Sequence, residues 1–348
     1  MKKSKRLRVA MVAPPFGDIG GPEVLVKQLT NALLKIGADV TLFAPADWKT
    51  KAKHIPTLSQ SLWNMADFKK QTRRVRNNLI VSSQVKILAY QKDFDIIHLN
   101  SQGLAYAIGI NATIPCVLSL HNKIITSAFK QFKKAKIYTV SLSKAQQGKF
   151  KTSANIWNGI STKDTPYSLK RGRHLIFIGR LTDYKGADTA IQVAKEANKK
   201  LLIFGRIGAT IERQTYFKEK IKPLIDGKQI VYMDEVSNKK IYHYLRDAEA
   251  LLFPLRRPDI CPMIVSEALA CGTPIIGTVI QPLPELLGKN NKIATLSNRK
   301  RDLVRAAKNT DQFDRKECRK YAEKYFDSSI MAEKYIKLYK KILRDKQG

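Results

Sequence analysis

Short apolar runs alternate with helix-patterned segments along this chain, the alternation breaks once, and then it starts again. No other feature limits the fold as tightly. Leu7–Ala13 is an apolar run of strand length, interrupted only by Arg8. A glycine turn follows, Gly17-Asp18-Ile19-Gly20-Gly21, and then Val24, Leu25, Leu29 and Leu33 recur at helical spacing. Gly37 closes that helix, and Val40–Phe43, Ile96–Leu99, Cys116–Leu120 and Ile137–Val140 read as further buried strands. Ser161–Arg173 is polar and contains proline, so it reads as a linker. Beyond it come strand Leu175–Ile178, helix Ala187–Asn198, strands Leu201–Phe204 and Ile230–Met233, helix Asn238–Asp247, strand Ala250–Pro254, helix Met263–Ala270 and strand Pro274–Gly277. From Arg301 onward the pattern is helical, with Tyr335, Leu338, Tyr339 and Ile342 on one apolar face.

Strands separated in this way by helices indicate parallel βαβ units. The expected fold is α/β, with two Rossmann-like domains, at 1–165 and 166–329, whose parallel sheets face across a cleft. The final helix, 330–348, is expected to pack back on the first domain. A length of 348 residues fits two domains at about 150 residues each. The longest uncharged apolar stretches, such as Ala250–Leu255, fall far short of the ~20 residues that span a bilayer. Met1–Arg6 is as basic as a signal peptide, yet the apolar run behind it stops at Pro14-Pro15-Phe16-Gly17 without a small-residue cleavage site, so it reads as a first strand. Cys116, Cys261, Cys271 and Cys318 lack metal-type spacing, and reduced thiols in the cytoplasm are expected.

Charge is where the composition is unusual. Lys and Arg number 63 against 29 Asp and Glu, a net charge of +34, and both halves carry the excess. Such a field favours anionic partners (nucleotide phosphates, acidic lipid headgroups or nucleic acid) without choosing among them.

Two segments carry chemistry. In Gly179-Arg180-Leu181-Thr182-Asp183-Tyr184-Lys185-Gly186, Arg180 leaves the carboxyl end of a strand and Lys185 stands just before a helix. Two cations at a sheet mouth beside a helix N-terminus suit a diphosphate; the plainer alternative is a solvated basic loop. In Pro258–Ile276, Asp259 lies in a loop and Glu267 follows eight residues later inside a helix. Pro262 suits the first turn of that helix, leaving the N–H groups of Met263 and Ile264 for phosphate. Glu267 could accept from ribose hydroxyls and Asp259 could face a sugar; the alternative is ordinary electrostatic trimming of a helix start.

In order along nearly the whole chain, these pieces resemble the retaining, nucleotide-sugar-dependent glycosyltransferases of GT-B fold, the group 1 or family 4-like transferases. The resemblance includes Gly20-Gly21-Pro22-Glu23, Asp95-Ile96-Ile97-His98, Ser119-Leu120-His121-Asn122, Val140-Ser141-Leu142-Ser143, Asn158-Gly159-Ile160, the Gly-Arg and Lys-Gly pairs, Ala248–Pro254 and Glu267–Pro274. It implies that Arg180 and Lys185 hold the donor diphosphate and neutralise the leaving group. It implies further that Glu267 binds the ribose, that the backbone at Gly20 and Gly21 approaches the phosphates, and that His121 reaches the donor sugar. His98 reads as structural, because its neighbours are apolar. The chain departs from the family pattern at Asp259, Pro262, Gln281-Pro282 and Ser161, where Glu, Gly, Gly-Gly and Asp are usual.

The implied donor is a UDP- or GDP-linked sugar, with no further cofactor and no metal. Asp93-Phe94-Asp95 matches an Asp-x-Asp metal pattern, but Asp95 runs directly into the strand Ile96–Leu99 and reads as a strand start. Met65, Phe68, Thr72, Val75 and Leu79 recur at helical spacing, flanked by Lys69, Lys70, Arg73, Arg74 and Arg76; Lys123–Lys136 mixes five lysines with Phe129 and Phe132. These point to an amphipathic basic helix, either lying on an anionic membrane face or packed in the core with a solvated basic side. The expected function is transfer to a lipid-linked or cell-envelope acceptor at the inner membrane face, with no obligate protein partner. A polyanion-directed transferase, or a nucleic-acid-binding scaffold on a decayed fold, is the alternative, though no helix-turn-helix, zinc-finger or RNA-recognition signature supports the latter.

Overall fold

A computed structural model of the chain describes residues 6–17, 21–170, 172–234, 236 and 238–347. The chain forms two units, Met1–Ser161 with Ser328–Gly348, and Thr162–Asp327.

The first unit is built on seven parallel strands: β1 (Arg8–Val12), β2 (Asp39–Ala44), β3 (Lys53–Pro56), β4 (Ile96–Leu99), β5 (Cys116–Ser119), β6 (Tyr138–Ser141) and β7 (Ala154–Asn155). Their order is β3-β2-β1-β4-β5-β6-β7. Strand β1 lies between β2 and β4, with Val9–Val12 paired to Val40–Phe43 on one side and Ile96–Leu99 on the other. Central parallel strands are covered on both faces, which is why they read as unbroken apolar runs. Five helices accompany them: α1 (Gly21–Lys35), α2 (Arg73–Val85), α3 (Ala105–Asn111), α4 (Thr126–Lys134) and α5 (Lys144–Gln147). The last helix of the chain, Ser328–Gln347, packs against α1 and buries Tyr335, Leu338, Tyr339 and Ile342. It is bolted to the sheet by hydrogen bonds. The Tyr339 hydroxyl lies 2.6 Å from His98 Nδ1, Ser119 Oγ lies 2.8 Å from Nε2, and the Tyr335 hydroxyl lies 2.6 Å from Ser119 Oγ. His98 is therefore structural, and burial pulls its imidazole down to about 3.

The second unit repeats the path with six parallel strands: β8 (His174–Ile178), β9 (Leu201–Phe204), β10 (Ile230–Tyr232), β11 (Ala248–Phe253), β12 (Ile275–Gly277) and β13 (Ala294–Leu296), ordered β10-β9-β8-β11-β12-β13. Numbered within the unit this is 3-2-1-4-5-6, the doubly wound order. Its helices are α6 (Ala187–Glu196), α7 (Ile211–Tyr216), α8 (Asn238–Arg246), α9 (Met263–Ala270), α10 (Leu283–Leu287), α11 (Lys300–Lys308) and α12 (Arg315–Tyr325). One core cluster runs from Leu175, Phe177 and Ile203 through Ile191 to Leu303 and Ala307.

Two readings of the sequence are corrected, and a third is decided for the core-packed alternative. The stretch 161–173 is no loose linker past its first residue, because Arg319 of α12 donates to the carbonyls of Thr162 and Thr165, and Ser168 N–H bonds Cys271 O. The stripe Met65–Leu79 is not one helix. Two short 3₁₀ turns precede α2, and Thr72 ends them by capping it, its hydroxyl accepting from Val75 N–H at 3.3 Å. Val75 is consequently exposed and Phe68 buried, so they share no face. In α4, Phe129 and Phe132 belong to the core, and Lys130, Lys133 and Lys134 are exposed.

Candidate active site

In each sheet the first strand has its successor on one side and the fourth strand on the other. The two loops leaving such a pair diverge and open a crevice at the carboxyl ends. In the second unit those strands are β8 and β11. Gly179 and Arg180 leave β8, and a single 3₁₀ turn, Asp183–Lys185, leads into α6. Gly186 caps that helix at φ +74°, and a Cβ there would lie 2.2 Å from Pro254 O. Glycine is thus what lets the Lys185 turn press against the chain leaving β11.

The turn meets the loop carrying Asp259. The Lys185 ammonium donates to Asp259 Oδ2 in an ion pair whose side chains are only 10% and 18% exposed. Asp259 Oδ1 accepts from Ile260 N–H at 2.8 Å, and Asp259 N–H donates to Gln281 O at 3.0 Å. Burial alone would raise this carboxyl; the charge and hydrogen bond of Lys185, the Ile260 N–H and the field of Arg180 outweigh it and hold it below the usual carboxylate range. The resemblance implies a diphosphate for Lys185, and Asp259 could face a sugar; in the structure the two side chains are paired with each other.

Arg180 is different. It is exposed, donates to the Tyr184 hydroxyl, and has no carboxylate partner among the described residues. The Tyr184 ring lies 5.8 Å from its guanidinium and 5.4 Å from Lys185 Nζ, so one aromatic side chain orders both cations. Tyr184 sits between them in sequence and could have been singled out there.

Helix α9 starts at the same end of the sheet. Pro262 is its N-cap rather than a first-turn residue and supplies no capping side chain. The N–H groups of Met263 and Ile264 fall in the first turn, where the helix offers no acceptor. They carry the positive end of the helix dipole. One turn further, Glu267 is half-buried and lies 3.4 Å from the Tyr242 hydroxyl, and burial lifts its carboxyl to about 7. Tyr242 comes from α8, and no local signal in the sequence links the two.

The first unit has a corresponding crevice beside β1, β4 and β5. His121, just past β5, places Nε2 3.0 Å from Asn100 Oδ1, and Asn100 Nδ2 donates to Val12 O at 3.1 Å. Burial lowers His121 to about 4, so near neutrality it is an uncharged imidazole. Gly21 opens α1, and a Cβ on it would meet nothing within 4 Å. Gly20 lies outside the described residues. Asp95 is a strand-start residue, its Oδ1 2.7 Å from Arg8 Nη2. All four cysteines are buried, and none of them is in a disulfide among the described residues. Among the described residues, no group of three His, Cys, Asp or Glu side chains is placed to hold a metal ion, and no helix is long and apolar enough to cross a membrane.

Two family models divide the chain as its sheets do. Glycosyltransferase Family 4 matches residues 19–147, and Glycosyl transferases group 1 matches residues 165–325. The chain belongs to the group 1 glycosyltransferase family. This group 1 chain is 27% identical over 172 residues to a Klebsiella pneumoniae protein described as an uncharacterized 41.2 kDa protein in the cps region. That match takes in 48% of this chain and 46% of the other, so it spans about half the length of that curated relative. Solved structures agree in fold over nearly all of both chains. AviGT4, a glycosyltransferase involved in avilamycin A biosynthesis, is 20% identical with a TM-score of 0.71, covering 97% of this chain and 98% of its own. Anabaena HepE in complex with UDP and glucose is 15% identical with a TM-score of 0.71, covering 95% and 99%. The GT-B architecture of this group 1 member is thereby established.

Proposed function

We propose that this chain is a retaining, metal-independent glycosyltransferase that takes a sugar from a UDP- or GDP-linked donor and passes it to a lipid-linked or cell-envelope glycan. The observation that carries the reading is Arg180, an exposed guanidinium with no acidic partner among the described residues, ordered by Tyr184 at the carboxyl end of β8. Cleaving a glycosyl–phosphate bond leaves negative charge on the departing diphosphate. Pre-placed cations and N–H groups aimed at that charge lower the barrier without reorganising. Arg180 supplies a cation that is in no ion pair among the described residues, Met263 and Ile264 the N–H groups, and Glu267 a ribose acceptor.

Lys185, paired with Asp259, holds an ammonium donor at a fixed position without adding net charge. His121, neutral and held by Asn100, is the first unit's candidate for the sugar. Retention of configuration rests on the motif resemblance. HepE, whose structures hold UDP and glucose, supports a nucleotide-sugar donor. The exposed lysines of α4 and the exposed Arg73 and Arg74 on α2 favour work at an anionic membrane face. The test is a panel of nucleotide sugars scored for released nucleoside diphosphate, with and without lipid extract. Release from one donor, enhanced by lipid, is expected; no release from any donor overturns the reading. Liposome co-sedimentation at low salt tests the membrane part separately.

A further inference from the structure

Two carboxylates flank the candidate diphosphate site, and a transferase should not want them there. Asp183 lies between Arg180 and Lys185, and Asp188 sits in the first turn of α6, three residues past Lys185. Left bare, both would repel a diphosphate held by those cations. They are not bare. Arg256, in the loop leaving β11, bridges them: Nη1 donates to Asp183 Oδ1 at 2.5 Å and Nη2 to Asp188 Oδ2 at 2.5 Å. Nη2 also donates to Thr189 Oγ1 at 2.9 Å, Nη1 to Asp183 O at 3.3 Å, and the Arg256 backbone N–H to Tyr184 O at 2.9 Å. Tyr216 takes the other oxygen of Asp188, its hydroxyl donating at 2.7 Å.

We infer that Arg256 is a positioning residue that, together with Arg257, whose Nη2 lies 3.8 Å from Asp183 Oδ2, offsets Asp183 and Asp188, so that the Arg180–Lys185 turn, with Lys185 already paired to Asp259, presents net positive charge to a nucleoside diphosphate. The inference rests on the proposed function and adds to it the group that sets the sign of the site. A guanidinium is needed because its fork reaches two acceptors at once, which a lysine ammonium does not reproduce. The shape of the turn is also at stake, since Arg256 holds both its side chains and its backbone.

The test is isothermal calorimetry with UDP and with GDP on the full chain. Wild type is expected to bind at least one of them. Arg256→Gln is expected to weaken that binding about tenfold, because a positive charge shared by two carboxylates is lost beside the ligand and only the longer Arg257 contact to Asp183 remains. Restoration by Asp183→Asn in the Arg256→Gln background separates charge from shape: a collapsed turn is not rescued by losing a carboxylate. Arg256→Lys is expected to fall between wild type and Arg256→Gln. In turnover assays the loss should lie in KM for the donor rather than in kcat. Equal binding by wild type and Arg256→Gln, or no rescue by Asp183→Asn, overturns the inference while leaving the proposed function intact. Failure of wild type to bind either nucleotide overturns the proposed function and this inference with it.

Discussion

The two sheets present the same kind of crevice, the pair formed by the first and fourth strands, and fill it with opposite chemistry. Beside the carboxyl halves of β1 and β4, away from the Arg8–Asp95 ion pair at their start, two hydrogen-bonded groups are uncharged: His121 on Asn100 at 3.0 Å, and His98 between Tyr339 and Ser119. Beside β8 and β11 they are ionic, with Lys185 on Asp259 and Arg256 across two aspartates. The strand path is shared. What differs is the load each crevice is built for. A crevice lined by neutral donors and acceptors suits hydroxyl groups; one lined by fixed cations suits phosphate. The fold therefore sets where a ligand sits, and the side chains on the loops decide what it is.

The strongest way to break that contrast is to remove an ionic partner. Lys185→Ala leaves the Asp259 carboxylate buried and unpaired, an arrangement that costs about 3–5 kcal/mol. Denaturation should show this loss in the second unit, and Lys185→Ala with Asp259→Leu should recover most of the stability and none of the activity. A thermally neutral Lys185→Ala would mean that the pair does not hold the turn. Arg180→Ala isolates chemistry from folding. Its side chain is exposed, so melting should hardly move, while donor cleavage should slow by about 10²–10³-fold, the loss seen when one pre-placed donor is taken from developing charge. Turnover near wild type would remove Arg180 from the reaction.

Much of the fold could be read from residue order, and the reason is burial. Strands such as Leu201–Phe204 are covered on both faces, so their sequence is continuously apolar; Ile96–Leu99 departs from this only at His98, whose ring nitrogens are both hydrogen-bonded. The edge strands Lys53–Pro56 and Ala154–Asn155 are short and part-polar, and only pairing with a neighbour makes them strands. At the site, Arg180 and Lys185 were legible because a strand end and a helix start bracket them within six residues. The Lys185–Asp259 pair was not, since 74 positions separate its members and only the turn of the sheet brings them together. Arg256 likewise gives no local sign of meeting Asp183 and Asp188.

Acid should sharpen the contrast next. His98 and His121 are held neutral, at about 3 and about 4. Unfolded histidine takes a proton near 6.5, so between there and about 4 the unfolded first unit binds more protons and its stability falls as pH falls. Glu267 has the reverse sign. Raised to about 7, it is protonated in the folded second unit well before the unfolded chain, so stability there rises as pH drops from 7 toward the ordinary glutamate value. His174, also lowered by burial, works against this gain in the second unit, and Glu23, raised by burial, works against the loss in the first. Hydrogen exchange followed by unit from pH 7.5 to 4.5 should therefore show the larger loss of protection in the first, and Glu267→Gln should remove the offset from the second. Equal losses in both units of wild type would erase the electrostatic distinction between them.

The smallest effect tests what orders the groups rather than the groups themselves. Tyr184 holds Arg180 through one hydroxyl, and Asn100 holds His121 through one amide oxygen. Tyr184→Phe keeps the ring under both cations and deletes only the acceptor, which is worth about 1 kcal/mol, or roughly fivefold in rate, if the guanidinium loses its aim. Asn100→Asp keeps an acceptor for His121 but places a carboxylate beside it, which should raise the imidazole toward its ordinary value and bring a new titration into the pH profile of turnover. The first substitution should leave the pH profile unmoved and the second should shift it, because only the crevice of the first unit depends on staying uncharged. A shift in both, or in neither, would mean that the two crevices are not divided by charge.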